Sequence, residues 1–78
     1  MTTEVRFPTM SEEESDAEGV VGTWFVNDGE AVVAGQVVAE VQVEKISQDV
    51  EAPVAGVIYQ LVAEGIGVRQ GEPIARID

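Results

Sequence analysis

An all-β sandwich or barrel is the fold class that this sequence predicts, and three observations predict it. Apolar residues recur at every second position in short runs rich in Val and Ile, the pattern of strands with one buried face. Glycine turns interrupt these runs at regular intervals, at Gly29, Gly35, Gly56, Gly65 and Gly71. The chain also repeats itself, and no stretch sustains a helical period.

Taken in order, residues 4–8 alternate and read as a first strand. Residues 9–18 have no apolar period and read as an acidic loop. Residues 20–26 form a β-rich run that ends at Asn27-Asp28-Gly29-Glu30, where Asp-Gly supplies turn chemistry. Residues 32–36 read as a short link with a second glycine turn. Residues 37–43 are a strand that leads to Lys45, and residues 47–52 are its return. Val41 and Val43 before the lysine, and Ile46 and Val50 after it, are expected to point inward. Pro53-Val54-Ala55-Gly56 is a turn, residues 57–63 a strand, residues 64–67 and 70–73 turns, and residues 74–77 the last strand.

The repeat organises these elements. Gly19, Gly29 and Gly35 correspond to Gly56, Gly65 and Gly71; Val20 matches Val57, Val32 matches Val68 and Ala39 matches Ala75. The offset is 37 residues before the Asn27–Gly29 turn and 36 after it, which assigns the extra residue to that turn. Upstream, Val5-Arg6-Phe7-Pro8 matches Val50-Glu51-Ala52-Pro53 at an offset of 45, so residues 9–18 are an insertion relative to Val54-Ala55. Neither copy buries its apolar face alone, so the two are expected to pack together about a pseudo-twofold axis. At the offset of 45, Lys45 falls just before the first residue, and Gln42 corresponds to Asp78. The lysine turn is thus the counterpart of the two chain ends and is expected at the opposite pole from them. The first strand should run toward the lysine pole and reach it near Pro8, with the acidic insertion flanking Lys45.

Composition narrows the chemistry. Seventy-eight residues make one domain, 1–78, and a chain this short buries only about 60% of its unfolded surface. There is no Cys and no His, which removes disulfides, thiolate metal sites, the usual general base and the commonest zinc ligand. Four cations against fifteen carboxylates leave a net charge of −11. That excess argues against nucleic acid or an anionic membrane as partner and favours a soluble monomer that attracts a basic docking surface. The first residues lack an apolar signal core, and no run approaches the roughly 20 apolar residues of a membrane-spanning helix.

No catalytic constellation is visible. Ser11, Ser15 and Ser47 lie in polar contexts without a glycine elbow. Glu12, Glu13, Glu14, Asp16 and Glu18 lack the spacing and turn glycine of a calcium loop, and read as a solvated acidic face. The glycines do not form a phosphate cradle. Phe7, Trp24, Phe25 and Tyr59 are scattered singly on strand patterns and read as core or half-buried packing, with Trp24 opposite Leu61 across the pseudo-axis. Lys45 remains. Most surface lysines are only solvated charges. This one is the sole lysine, at a tight hairpin tip, with Glu44 before it and Ile46 after it. An amine so placed suits a modifying enzyme, and acylation would remove its charge and fix a long arm to it.

The whole chain resembles a lipoyl domain of the 2-oxo acid dehydrogenase complexes, in the wider biotinyl/lipoyl carrier family. The residues that carry the resemblance are Phe7-Pro8 before a polar loop, Glu18-Gly19, Trp24-Phe25-Val26 with Asp28-Gly29-Glu30, residues 33–41, Glu44-Lys45, and residues 51–56. The resemblance implies a flattened β-barrel of two four-stranded antiparallel sheets with quasi-twofold symmetry, a barrel-sandwich hybrid. It implies lipoic acid in amide linkage to Lys45, with Glu44 and Ile46 as flanking recognition residues and no catalytic site in the domain itself. The domain would be a swinging-arm carrier, probed in turn by a thiamine-diphosphate decarboxylase component, an acyltransferase catalytic core and a dihydrolipoyl dehydrogenase. A lipoate ligase or lipoyl/octanoyl transferase would load it, and loop 9–18 would help the decarboxylase and the loading enzyme recognise it. The host is expected to be a longer dihydrolipoyl acyltransferase with this as its N-terminal domain, in the cytoplasm ahead of the mitochondrial matrix. Two other readings stand beside it. A biotin carrier shares fold and lysine position, but usually flanks the lysine with methionines, where this chain has Glu44 and Ile46. An unmodified β-sandwich interaction module is the third.

Overall fold

A computed structural model describes residues 2–10 and 17–78. Eight strands follow one another: β1 (Thr3–Arg6), β2 (Glu18–Trp24), β3 (Glu30–Val32), β4 (Val37–Val43), β5 (Ile46–Glu51), β6 (Gly56–Gln60), β7 (Gly67–Arg69) and β8 (Pro73–Ile77). They form two four-stranded antiparallel sheets, ordered β1-β8-β6-β3 and β5-β4-β2-β7. The body measures 33 × 20 × 18 Å, a flattened barrel. The expected fold class therefore holds, down to the number of strands in each sheet.

The pseudo-twofold is visible in the ladders. Exchanging β1, β2, β3 and β4 for β5, β6, β7 and β8 converts one sheet order into the other. Loop hydrogen bonds recur in matched pairs. Gly29 N–H donates to Ile58 O and Gly65 N–H to Val21 O; Phe25 N–H donates to Val38 O and Leu61 N–H to Ile74 O. Gly35 N–H donates to Ala52 O, as Gly71 N–H does to Phe7 O. The Phe25 and Leu61 bonds stay within their own copies, whereas the four glycine bonds reach from each copy into the other, so neither copy is closed by itself.

Register corrects the bookkeeping of the repeat. The extra residue of the first copy is Gly22, where the β2–β4 pairing skips from Val21↔Val41 to Thr23↔Glu40, and not a residue of the Asn27–Gly29 turn. Trp24 pairs with Ala39 and Gln60 with Ala75, so Gln60, not Leu61, is the counterpart of Trp24. Their side chains do equivalent work: Trp24 Nε1 donates to Val62 O at 3.2 Å and Gln60 Nε2 to Val26 O at 3.0 Å. Their backbone N–H groups donate to Glu64 and Asp28 carboxylates, both at 2.7 Å. Phe25 is then the equivalent of Leu61, and both are exposed, against the expectation of a packed Phe25. Phe25 lies between inward-facing Trp24 and Val26, and the pleat turns it outward. Phe7 is buried, and Trp24 and Tyr59 are half-buried, as expected.

β3 and β7 are strands where the sequence suggested a link and a turn. Each has three residues and one buried side chain, Val32 or Val68, so no alternation exists to be read. β4 has its expected bounds, and the other strand ends move by at most three residues; β6 stops at Gln60 rather than residue 63. The core lies between the sheets, with Val21, Val38, Val41, Ile58, Ile74 and Ile77 almost fully buried. Val38-Ala39 and Ile74-Ala75 are each buried consecutively, because a bulge there breaks the alternation in β4 and β8. The body of the acidic insertion, residues 11–16, lies outside the described residues; Met10 and Ala17 at its two ends pack against the core.

Candidate functional site

Lys45 occupies the second position of a two-residue hairpin turn, since Val43 pairs directly with Ile46. A turn this tight needs positive φ at a central position to match the twist of its strands. Glu44 supplies it, at φ 55°. Glycine or asparagine usually takes this role, and an L-residue there costs about 1–2 kcal/mol. Nothing in the pair Glu44-Lys45 announces a turn by composition, so this strain was not readable from the sequence. It is the one non-glycine positive φ among the described residues, and it immediately precedes the lysine.

The hairpin base is firmly held. Val43 is buried, and Gly19 passes beneath it so closely that a Cβ on Gly19 would lie 2.5 Å from Gln42 O and 2.8 Å from Val43 Cγ2, and would also strike the Phe7 ring. The tip is not. Lys45 is exposed, and no described residue bonds to its amine. Ile46 was expected inward and is instead 60% exposed. It shares a sheet face with Val43, but β5 is an edge strand that buries only Val50, so its first residues overhang the end of the core. Glu44 and Ile46 thus flank Lys45 in the open, one charged and one apolar.

The register also places the tip relative to the ends. Thr2 Oγ1 donates to Asp78 Oδ1 at 2.7 Å, and Asp78 exchanges two backbone bonds with Val57. β1 starts beside Asp78 and carries Phe7 to Gly19 and Val43, so it runs from the termini toward the lysine. β5 makes the reverse journey, from Ile46 to Ala52, and the chain then reaches Gly56 against Asp78. Six residues of strand span roughly 20 Å, and that length separates the lysine from the termini.

A further residue went unnoticed in the sequence. Gln70, in the turn between β7 and β8, accepts Met10 N–H on Oε1 at 2.6 Å and donates from Nε2 to Ala17 O at 3.2 Å. It therefore ties both ends of the insertion. Only a comparison of the two copies would have flagged it, since Ala34 stands at the equivalent place.

Chemically, this arrangement presents an amine and does little else. Among the described residues there is no pocket and no group of three or more metal-ligating side chains. With no His or Cys in the chain, no imidazole or thiol is at hand.

Residues 3–77 match the biotin/lipoyl attachment family, described as "Biotin-requiring enzyme". The chain belongs to this family. Within it the chain is a lipoyl domain, as its relatives indicate. It is 41% identical over 64 residues, 82% of its length, to the dihydrolipoyllysine-residue succinyltransferase component of the 2-oxoglutarate dehydrogenase complex of Bartonella vinsonii subsp. berkhoffii. It is 36% identical over 77 residues, 96% of its length, to the pyruvate dehydrogenase E1 component subunit beta of Rhizobium meliloti. The chain spans only 15% and 16% of the length of these two curated relatives. The solution structure of the lipoyl domain of the 2-oxoglutarate dehydrogenase complex from Azotobacter vinelandii superposes with a TM-score of 0.76 at 30% identity, covering 96% of this chain and 94% of that one. Lipoyl domains of this family act as swinging-arm carriers.

Proposed function

We propose that this lipoyl domain carries lipoic acid in amide linkage on Lys45 Nζ and serves a 2-oxo acid dehydrogenase complex. The observation that carries the reading is the lysine itself: the chain's only side-chain primary amine, unpaired by any described residue, on a strained two-residue turn. An amide bond to lipoate needs such an amine, and the site fits the group. Bound lipoate supplies a dithiolane that takes up acyl groups and reducing equivalents. The protein's part is to hold the attachment point rigid and accessible. The buried Val43 and the close Gly19 backbone fix the base of the hairpin, while the overhanging tip lets a partner reach around Lys45. Tethering keeps the arm at high local concentration near each partner site.

The names of the relatives support a place in such a complex, with a thiamine-diphosphate decarboxylase, an acyltransferase core and a dihydrolipoyl dehydrogenase as the partners the arm visits. The small share of each relative that the chain spans supports a longer host, for which we favour a dihydrolipoyl acyltransferase. The test is intact mass after treatment with a lipoate ligase. The wild type should gain one lipoyl group, and Lys45→Arg none, with an unchanged thermal midpoint. Biotin taken up in preference from a biotin ligase, or no adduct with either enzyme, would sink the reading.

A further inference from the structure

β5 is the longest of the four strands that edge the two sheets, with six residues against four in β1 and three each in β3 and β7. A long edge offers unpaired N–H and C=O groups to any chain that can lie along it. β1 is interrupted by a bulge between Val5 and Arg6, and β3 and β7 are too short to offer a ladder. The free groups of β5 follow from its register. Val43 and Ile46 close the two-residue turn, so they exchange both of their backbone bonds. The alternation of an antiparallel pair then makes Val41–Gln48 bonded and leaves Gln42–Ser47 and Glu40–Asp49 non-bonded. The N–H and C=O groups of Ser47 and Asp49 therefore point away from β4. Among the described residues no loop bond reaches them; the loops meet this segment only at Ala52.

The side chains along this edge are of one sign. Asp49 and Glu51 stand on the outer face, opposite to buried Val50. Asp49 pairs directly with Glu40 of β4, their Cβ atoms about 5 Å apart, and like charges so placed destabilise a sheet. No described cation offsets Glu40, Asp49 or Glu51. The arginines that form ion pairs, Arg6 and Arg76, both lie on the other sheet and are bound to Glu4 and Asp78. On the inner face Ile46 overhangs the core, one residue from Lys45.

We propose that β5 is a docking edge for an extended, basic segment of a partner protein, which adds to this sheet as a fifth strand. Its backbone bonds to Ser47 and Asp49, and main-chain bonds of this kind give such strand addition its affinity. Two cations, two residues apart on one face, meet Asp49 and Glu51 and neutralise charge that the chain leaves uncompensated. An apolar side chain on the opposite face, three residues past the second cation, covers Ile46. A second copy of this chain is disfavoured as the occupant, because an antiparallel β5–β5 pair would bring the same carboxylates together. A segment bound in this way ends beside Lys45, so it holds a partner at the amine whatever the amine carries.

The probe is the peptide Lys-Val-Lys-Thr-Thr-Ile, capped at both ends, titrated into the unmodified chain at low salt and followed by amide NMR. Shifts should be confined to β5 and the lysine turn. At saturation the Ser47 and Asp49 amides should exchange about tenfold more slowly, and the Gln48 amide, already bonded to Val41, should not change. The same peptide N-methylated at its second Lys and second Thr keeps its charge and loses those bonds, and should bind about tenfold more weakly. Asp49→Lys combined with Glu51→Lys should weaken binding of the Lys peptide about tenfold and admit Glu-Val-Glu-Thr-Thr-Ile in its place. Should that variant fail to fold, the N-methylated peptide still decides the question on the wild type. No shift at high peptide concentration, equal binding of the N-methylated form, Ser47 and Asp49 amides that do not slow, a charge-reversed chain that treats the two peptides alike, or a wild type that pairs with itself through β5 would each overturn the proposal.

Discussion

The two ends of the barrel share one backbone plan and close differently. At one end the chain's own termini meet: Thr2 bonds to Asp78, Arg76 Nε lies 3.5 Å from the Asp78 carboxylate, and the Arg76 guanidinium sits 4.7 Å above the Tyr59 ring. At the other end a continuous hairpin replaces the gap, with a strained Glu44, a Lys45 that no described residue pairs, an overhanging Ile46, and the Gln70 amide bound to Met10 and Ala17. Most buried positions beneath correspond in pairs, Val21, Val38 and Val41 to Ile58, Ile74 and Ile77 among them, and the pair most unequal in size is Phe7 and Ala52. Phe7, near the lysine end, occupies the place that Ala52 fills at the other. The symmetric framework supplies the fold, while the departures from symmetry collect around the lysine. An extra ring supports the hairpin, and an extra amide, that of Gln70, binds Met10 and Ala17.

Changes that act on one end and spare the other test this division. The largest effect should come from Phe7→Ala, which empties the unequal position and should cost about 3–5 kcal/mol in urea unfolding. A loss under about 1 kcal/mol would show that the ring is not what supports the hairpin. Gly19→Ala and Gly56→Ala make a matched pair. An added Cβ at Gly19 meets Gln42 O and Val43, and at Gly56 it meets Asp78 O and Ile77 Cγ2, each 2.6 Å away. Each should cost about 1–3 kcal/mol by contact, Gly56→Ala the more because its φ of 154° disfavours any side chain, with amide shifts clustered at the lysine hairpin for the first and at the termini for the second. Shifts that spread equally over both ends would argue against two separable regions.

Smaller effects follow at the tips. Glu44→Gly relieves a left-handed conformation worth about 1–2 kcal/mol and gives back about 0.5–1 kcal/mol in chain entropy, so a net gain of about 0.5 kcal/mol is expected. If lipoylation falls while stability rises, the carboxylate is kept for recognition; if both hold, it is incidental. The smallest effect is electrostatic. The Thr2 hydroxyl above all, helped by the Arg76 charge, holds the Asp78 carboxyl below its ordinary value against desolvation, which opposes it more strongly than the Arg76 charge alone supports it. Because the folded-state pKa is depressed, that contribution is present above the ordinary aspartate range and is lost as pH falls through the folded value. Thr2→Val should move the carboxyl titration upward by NMR and flatten the acid limb of stability, leaving Lys45 chemistry untouched.

Much of this was legible in the residues, for identifiable reasons. β4, Val37–Val43, is a long alternating run whose inner face is covered, so its period shows. The repeat showed because equivalent glycines perform equivalent steric tasks, as Gly19 and Gly56 do against Gln42 O and Asp78 O. β3 and β7 were hidden because one buried valine each leaves no period. Ile46 misled because alternation reports which face a side chain takes, not whether anything covers that face at the end of an edge strand. The Gly22 bulge shifted the register by one and disguised Gln60 as unrelated to Trp24. Gln70 has no periodic signature at all; its partners lie 60 and 53 residues away in the chain.

The pairing of Gln42 with Asp78 by symmetry has an engineering consequence. Since Thr2 already touches Asp78, the ends stand where β4 and β5 stand on either side of the lysine turn. A linker of that turn's length, carrying Glu-Lys at its tip, would circularise the chain and create a second hairpin at the opposite end. The product would have two mounting points set a barrel length apart, a double-headed carrier made by closing the gap between Thr2 and Asp78.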